Sequence, residues 1–245
     1  MGLPDHVRGC LFDMDGVLTR TATVHAAAWK EMFDGFLAEW GRKTDTPVAP
    51  FTTDDYERYV DGRSRADGTR AFLHSRGINL PDGTPADPPG VQTVEGLSNR
   101  KNQILLDVLA TKGVEVFGDA VDYVRAVRAA GIRRAVVSAS ANTAQVLEAA
   151  HLTDLFETRI DGLVAVDKHL AGKPAPDMYL AGAAALSLQP AEAAVFEDAL
   201  AGVEAGRAGG FALVVGVDRI GHGSDLLNHG ADIVVTDLRQ LLAPA

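Results

Sequence analysis

The sequence contains one cysteine, Cys10, so no disulfide can form within the chain, which fits a reducing compartment. Flanked by Leu11 and Phe12, Cys10 reads as a buried strand thiol rather than a reactive one. Basic residues are scarce as well: 23 Lys and Arg face 33 Asp and Glu, for a net charge of −10. Such a surface repels nucleic acid and anionic lipid, and neither is an expected partner. No apolar run approaches the ~18 residues needed to cross a bilayer. The first residues carry Asp5 and lack a continuous apolar run, so no secretory signal is expected. Met1-Gly2 is followed at position 6 by His6, not the Ser or Thr of a myristoylation signal. A cytoplasmic protein is the expectation. There is no repeat of fixed period.

What is present is a globular composition: 245 residues, 47% hydrophobic and 23% charged, enough for a large domain with an insertion. Five short apolar runs read as buried strands: Gly9 to Phe12, Ala135 to Val137, Ala194 to Phe196, Ala212 to Val217 and Asp232 to Val235. Apolar residues at both odd and even positions mean both faces are covered, as in a parallel sheet. Helical patterns alternate with these runs: Asp119 to Ala130, Asn142 to Ala150, Asp177 to Leu186 and Leu200 to Ala208. The alternation predicts a doubly wound α/β domain with a parallel sheet.

Between the first two strands the pattern changes. Residues 21–112 show helices and turns without a strand: Thr23 to Leu37, Asp54 to Tyr59, Arg65 to Ser75 and Asn99 to Leu109. Loops rich in Pro or Gly at Thr44 to Phe51 and Leu80 to Gly96 separate them. The expected organisation is therefore an α/β catalytic core, residues 1–20 and 113–245, with a helical cap domain, residues 21–112, inserted after the first strand. Ligands of open α/β sheets bind at the carboxyl ends of the strands, where this insertion leaves the core.

Polar residues gather at those ends. The first strand runs into Phe12-Asp13-Met14-Asp15-Gly16, the second into Ser138-Ala139-Ser140, the third into Glu197-Asp198, and Lys173 precedes a helix. Asp13, Asp15, Glu197 and Asp198 would converge at one sheet edge. Two unit charges ~4 Å apart repel by ~4 kcal/mol at an effective dielectric of 20. Such a cluster either binds protons or holds a cation, and hard oxygen donors suit Mg2+.

These segments resemble the signature of the haloacid dehalogenase (HAD) superfamily. Asp13-Met14-Asp15-Gly16-Val17-Leu18-Thr19 is similar to its nucleophile motif, and Val136-Val137-Ser138-Ala139-Ser140 to its second motif. Lys173-Pro174 and Phe196-Glu197-Asp198-Ala199 resemble the third and fourth, in matching order along the chain. The resemblance implies a Rossmann-like HAD core in which Asp13 forms an aspartyl phosphate. It implies Asp15 as general acid and base, and Ser138 and Lys173 as groups that bind the phosphoryl oxygens and offset their charge. It also implies magnesium held by Asp13, Asp198, the Asp15 backbone carbonyl and Glu197. Asp15 itself favours phosphoryl transfer over dehalogenation, because an alcohol leaving group needs a proton donor and a halide does not.

The inserted region is similar to that of the β-phosphoglucomutase branch. Thr21 and His25 stand at matching positions after the nucleophile loop, and Tyr59-Val60-Asp61-Gly62-Arg63-Ser64-Arg65 resembles the segment whose arginine grips a distal phosphate. Asn99-Arg100-Lys101-Asn102 resembles a segment with a substrate-binding lysine. The resemblance thus adds Thr21, His25, Arg65, Lys101, Ala139 and Asn142 as substrate-binding residues. One departure is Arg20, where the family usually carries an acidic hinge residue. The expected activity is that of a sugar phosphomutase converting a hexose 1-phosphate to the 6-phosphate. The alternative is a sugar-phosphate phosphatase with the same core. In either case the partner is a small phosphorylated sugar and the protein a monomer.

Overall fold

The computed structural model describes residues 2–242 and divides into two compact units, Met1–Thr21 with Val114–Ala245 and Ala22–Gly113. The larger unit is built on a six-stranded sheet. Its strands are β1 (Gly9–Phe12), β2 (Arg133–Val137), β3 (Thr158–Ile160), β4 (Ala193–Glu197), β5 (Leu213–Val217) and β6 (Ile233–Val235). All pairings are parallel, in the spatial order β3-β2-β1-β4-β5-β6. The direction of winding reverses at β1, so the crevice at its carboxyl end is the site where such sheets bind ligands.

β1, β4 and β5 are buried along their whole length, as their runs of apolar residues require. Phe12 lies level with Val136 of β2 and with Phe196 of β4, so the three strands end within one residue of each other. The rings of Phe12 and Phe196 stack at 4.5 Å, and Tyr123 and Phe156 meet Phe12 edge-on. On the other side Tyr179, Leu11, Val137 and Val195 join one apolar cluster. Cys10 is fully buried, and burial pushes its thiol pKa up, so it is an inert core residue.

Several elements differ from the sequence-based expectation. β3 escaped notice because Thr158 and Arg159 leave its three residues without an apolar run, unlike the equally short β6, and Glu197-Asp198 therefore ends the fourth strand rather than the third. Two six-residue helices, Gly162–Asp167 and Gly223–Asn228, both begin with glycine and are too short for a periodic signal. The other core helices, Gly118–Ala129, Thr143–Ala149, Asp177–Ala185 and Leu200–Ala208, fall within one residue of their expected ends.

The smaller unit is helical, and no strand occurs among its described residues. Its long helices are Thr21–Thr44, Arg65–Ser75 and Val94–Lys112. The first runs seven residues past the expected end. Trp40 continues the apolar stripe beside Phe36, and Lys43 pairs with Glu39 one turn back at 2.8 Å. The last begins five residues early, at a Thr93 cap that accepts the Gly96 N–H at 2.9 Å. Phe33, Phe51 and Phe72 form its aromatic centre with Trp29.

Beside that centre Thr52 and Asp55 form a reciprocal capping box, and Asp55 accepts a charged bond from Arg76 at 2.6 Å. Burial alone would raise the Asp55 pKa, but these donors hold it below the usual carboxylate range. A lowered folded pKa adds stability above the unfolded value of about 4, which is lost as pH falls through the folded pKa. Asp55→Asn is accordingly expected to cost about 1–3 kcal/mol at pH 7. The difference from wild type should shrink by pH 3, as read by urea denaturation at both pH values.

Candidate active site

The level ends of β1 and β4 place their following residues side by side. The Asp13 N–H donates to the Phe196 carbonyl at 2.9 Å, which turns Asp13 toward the end of β4. Gly16, the residue after Asp15, has φ +100° and lies flat against Asp198; a Cβ there would fall 1.7 Å from Asp198 Oδ2. Only glycine combines that backbone conformation with that approach.

Lys173 sits between two acids in the interior. Its ammonium donates to Asp13 Oδ1 at 2.6 Å and to Glu197 Oε1, and neither Lys173 nor Glu197 is accessible. Burial would lower the Lys173 pKa, but Asp13 and Glu197 outweigh it and hold the ammonium charged well above its ordinary range. Glu197 is engaged further: Oε1 accepts the Tyr179 hydroxyl at 3.1 Å and Oε2 the Ala199 N–H at 2.9 Å. Burial, and then the Glu197 charge, raise the Tyr179 pKa, so its hydroxyl stays protonated and donates. A Cβ on Gly202 would lie 1.8 Å from Glu197 Oε1, so this carboxylate depends on a second glycine.

Among the described residues one acidic group has metal-binding spacing: oxygens of Asp13, Glu197 and Asp198 lie within 4.8 Å of one another. Burial raises the Asp13 pKa, and the charges of Glu197 and Asp15 add to it despite Lys173. Three carboxylates against one ammonium leave excess negative charge, and the all-oxygen donors fit a hard divalent cation such as Mg2+.

Asp15 is held from two sides. Its Oδ1 accepts the Thr21 hydroxyl, and Oδ2 accepts Ser138 Oγ at 3.4 Å. Thr21 is in turn bonded to Thr19 at 2.6 Å. Ser138 begins the loop after β2, where Ser140 N–H donates back to Ser138 Oγ at 3.2 Å and Asn142 N–H to Ser140 Oγ at 3.2 Å. Ala139 lies between them, half-buried, and its carbonyl is so close to Gly162 that a Cβ there would stand 2.7 Å away. The structure thus brings Asp13, Asp15, Thr21, Ser138, Lys173, Glu197 and Asp198 to one sheet edge. Ala139 and Asn142 lie in the adjoining loop.

The helical unit gathers the other candidates. Lys101 is almost wholly buried, with its ammonium 3.1 Å from His25 Nδ1 and 5.0 Å from the centre of the Trp29 ring. Arg65 donates to the Ser98 carbonyl at 3.4 Å, one turn before Lys101 on the same helix, and burial lowers its pKa. Arg20, by contrast, lies in the larger unit with its guanidinium 4.3 Å from the centre of the Phe117 ring. Sequence reasoning missed Tyr179. Its one signal was a lone tyrosine in the alanine-rich helix Asp177–Ala185, six residues after Lys173.

Residues 7–210 match the model of the haloacid dehalogenase-like hydrolases. The chain is 52% identical, over 99% of its length and 94% of the relative, to a β-phosphoglucomutase of Mycobacterium tuberculosis. It is 29% identical to a β-phosphoglucomutase of Bacillus subtilis, over 96% of this chain and 92% of that one. A β-phosphoglucomutase crystal structure from Clostridium difficile superposes with a TM-score of 0.75 at 23% identity, covering 96% and 93% of the two chains, a likeness of fold.

Removing the ammonium from between two buried carboxylates should be costly. Lys173→Met is expected to lose about 3–5 kcal/mol of stability in metal-free buffer. Added Mg2+ should restore part of it, as read by urea denaturation with and without the ion.

Proposed function

The chain belongs to the haloacid dehalogenase-like hydrolases, and we propose that it is a magnesium-dependent β-phosphoglucomutase interconverting the 1- and 6-phosphates of a hexose. The observation that carries this reading is the Asp13–Lys173–Glu197 bridge, with Asp198 close by and Asp15 two residues from the nucleophile. A site that only bound a phosphate would gain nothing from four acids at its floor. A transfer site needs them to hold a nucleophile and a proton carrier.

In the proposed reaction an Asp13 carboxylate oxygen forms a bond to phosphorus, and the ester P–O bond breaks. The departing sugar oxygen takes a proton from Asp15, which Thr21 and Ser138 keep in place. In the return step Asp15 removes a proton from the free hydroxyl of a sugar monophosphate, whose oxygen attacks phosphorus as the bond to Asp13 breaks, giving a bisphosphate that turns over to present its other phosphate. Lys173 offsets charge on Asp13 throughout, and Ser138 with the loop through Ala139 and Asn142 contacts the phosphoryl oxygens. Asp13, Asp198 and the Asp15 carbonyl, with Glu197 completing the set, would hold Mg2+, which supplies charge neutralisation at the phosphoryl group.

Buried cations in the helical unit support a substrate with a second anionic end. Arg65 offers the planar fork that binds phosphate, and the contacting pair Lys101 and His25 is proposed to bind sugar hydroxyls or phosphate. The unit is proposed to act as the cap that excludes water from the acyl phosphate. A mutase gains from that exclusion, because hydrolysis would discard the phosphoryl group.

The test follows β-glucose 1-phosphate with Mg2+, with and without catalytic glucose 1,6-bisphosphate, reading glucose 6-phosphate and inorganic phosphate together. Glucose 6-phosphate should form faster than phosphate and be stimulated by the bisphosphate. Asp13→Asn should abolish transfer by at least about 10³-fold. Arg65→Ala should slow sugar-to-sugar transfer about tenfold or more while affecting phosphate release less. Phosphate as sole product would make the enzyme a sugar-phosphate phosphatase with water as acceptor.

A further inference from the structure

The loop after β5 carries no group of the proposed chemistry, yet it touches both halves of the site. Asp218 organises it: Oδ1 accepts the N–H groups of Ile220, Gly221 and His222 at 3.1, 2.6 and 3.1 Å, and Oδ2 accepts that of Gly223 at 2.9 Å. From this rigid turn two side chains reach out. Arg219 Nε and Nη2 donate to the carbonyls of Gly16 and Val17, each at 3.4 Å. His222 Nε2 donates to the carbonyl of Asp198 at 3.2 Å.

Arg219 is itself firmly placed. Its Nη1 pairs with Asp119 Oδ2 at 3.0 Å and donates to the Thr236 carbonyl at 3.0 Å, and its guanidinium lies 3.9 Å from the centre of the Phe117 ring. Asp119 is fixed in turn by the Leu238 N–H at 2.8 Å. One planar cation thus ties the nucleophile loop to the first turn of the helix Gly118–Ala129 and to the segment after β6. A lysine could keep one of these contacts but not the fork. Gly16, one of the two held carbonyl residues, is also the residue pressed against the Asp198 carboxylate.

We propose that Arg219 and His222 are positioning residues for phosphoryl transfer, stapling the Asp13–Val17 loop and Asp198 to a common turn so that their oxygens stay at cation-binding spacing. Neither side chain is assigned contact with substrate. The proposal rests on the reading of the acid cluster as a Mg2+-dependent transfer site. Loosening either staple leaves Asp13 and Asp198 present but lets the nucleophile loop drift relative to Asp198. The cost falls on metal binding and the chemical step. The sugar-binding candidates of the helical unit, Arg65, Lys101 and His25, are unaltered.

The experiment compares wild type with Arg219→Gln, Arg219→Lys and His222→Ala, using Arg239→Gln as control because Arg239 is an exposed partner of Asp122 outside the site. Three quantities are read: kcat and KM for the sugar phosphate, the Mg2+ concentration giving half-maximal rate, and the rise in Tm that Mg2+ confers. Loss of an outer partner of metal ligands costs about tenfold or more in affinity or rate. Both Arg219 variants should therefore lower kcat and raise half-saturating Mg2+ by about that factor, with KM within about twofold of wild type. The Mg2+-induced rise in Tm should shrink in parallel, and His222→Ala should show the same pattern more weakly. Should Arg219→Gln not fold, Arg219→Lys and His222→Ala carry the test. The proposal is overturned if the folded variants keep wild-type kcat, Mg2+ half-saturation and Tm gain, whatever their basal stability. A wild type without transfer activity would sink the proposed function instead. The Mg2+-dependent Tm arm would still decide the role of the staples.

Discussion

The ammonium of Lys173, buried between Asp13 and Glu197, is the interaction on which the rest of the larger unit turns. Ionised carboxylates cannot be left unpaired in an interior without a large desolvation cost. The surrounding architecture is what makes the arrangement tolerable. Parallel strands in matched register bring the acids to one level, and Tyr179 and the Ala199 N–H engage Glu197 from the remaining sides. Glycines at 16 and 202 leave the space that the carboxylates of Asp198 and Glu197 occupy. The excess of negative charge that remains is a stored demand for a cation, which is the condition a magnesium-dependent transfer enzyme needs.

Around this bridge the two proposed actors of the chemistry are held differently. Asp13 lies in the interior, fixed by Lys173 and by its backbone bond to Phe196. Asp15 is half-buried and held by the hydroxyls of Thr21 and Ser138, neutral donors that orient a carboxyl without adding charge. That contrast suits a nucleophile that must not move and a proton carrier that must change its protonation state during each half of the reaction.

The segments that join the two units are also structured. Residues leaving the first strand pair with those returning: Arg20 N–H donates to the Glu115 carbonyl and Phe117 N–H to the Leu18 carbonyl, both at 2.9 Å. Phe117 lies under the guanidiniums of both Arg20 and Arg219. The arginine at position 20 therefore has a local physical account. An arginine can cover the Phe117 ring by a cation–π contact, whereas an acidic side chain would face the negative face of that ring.

Much of the larger unit was legible in its sequence, for reasons that can be named. Buried parallel strands need apolar residues on both faces, so β1, β4 and β5 announced themselves. Acids and a lysine at strand ends stand out because nothing else in an apolar sheet explains them. The edge strand β3 was invisible because Thr158 and Arg159 break any apolar run, and the two six-residue glycine-led helices because they contain too few residues for a helical period to register. Partnerships were invisible for a different reason. That Lys173 would lie between Asp13 and Glu197, that Tyr179 would meet Glu197, and that Arg219 would reach Gly16 are contacts across 18 to 203 residues of chain. The sequence by itself determined the fold class and the residue types available for chemistry, because periodicity and composition are local. Only the tertiary structure decided which charge meets which, because strand register and loop geometry set those distances.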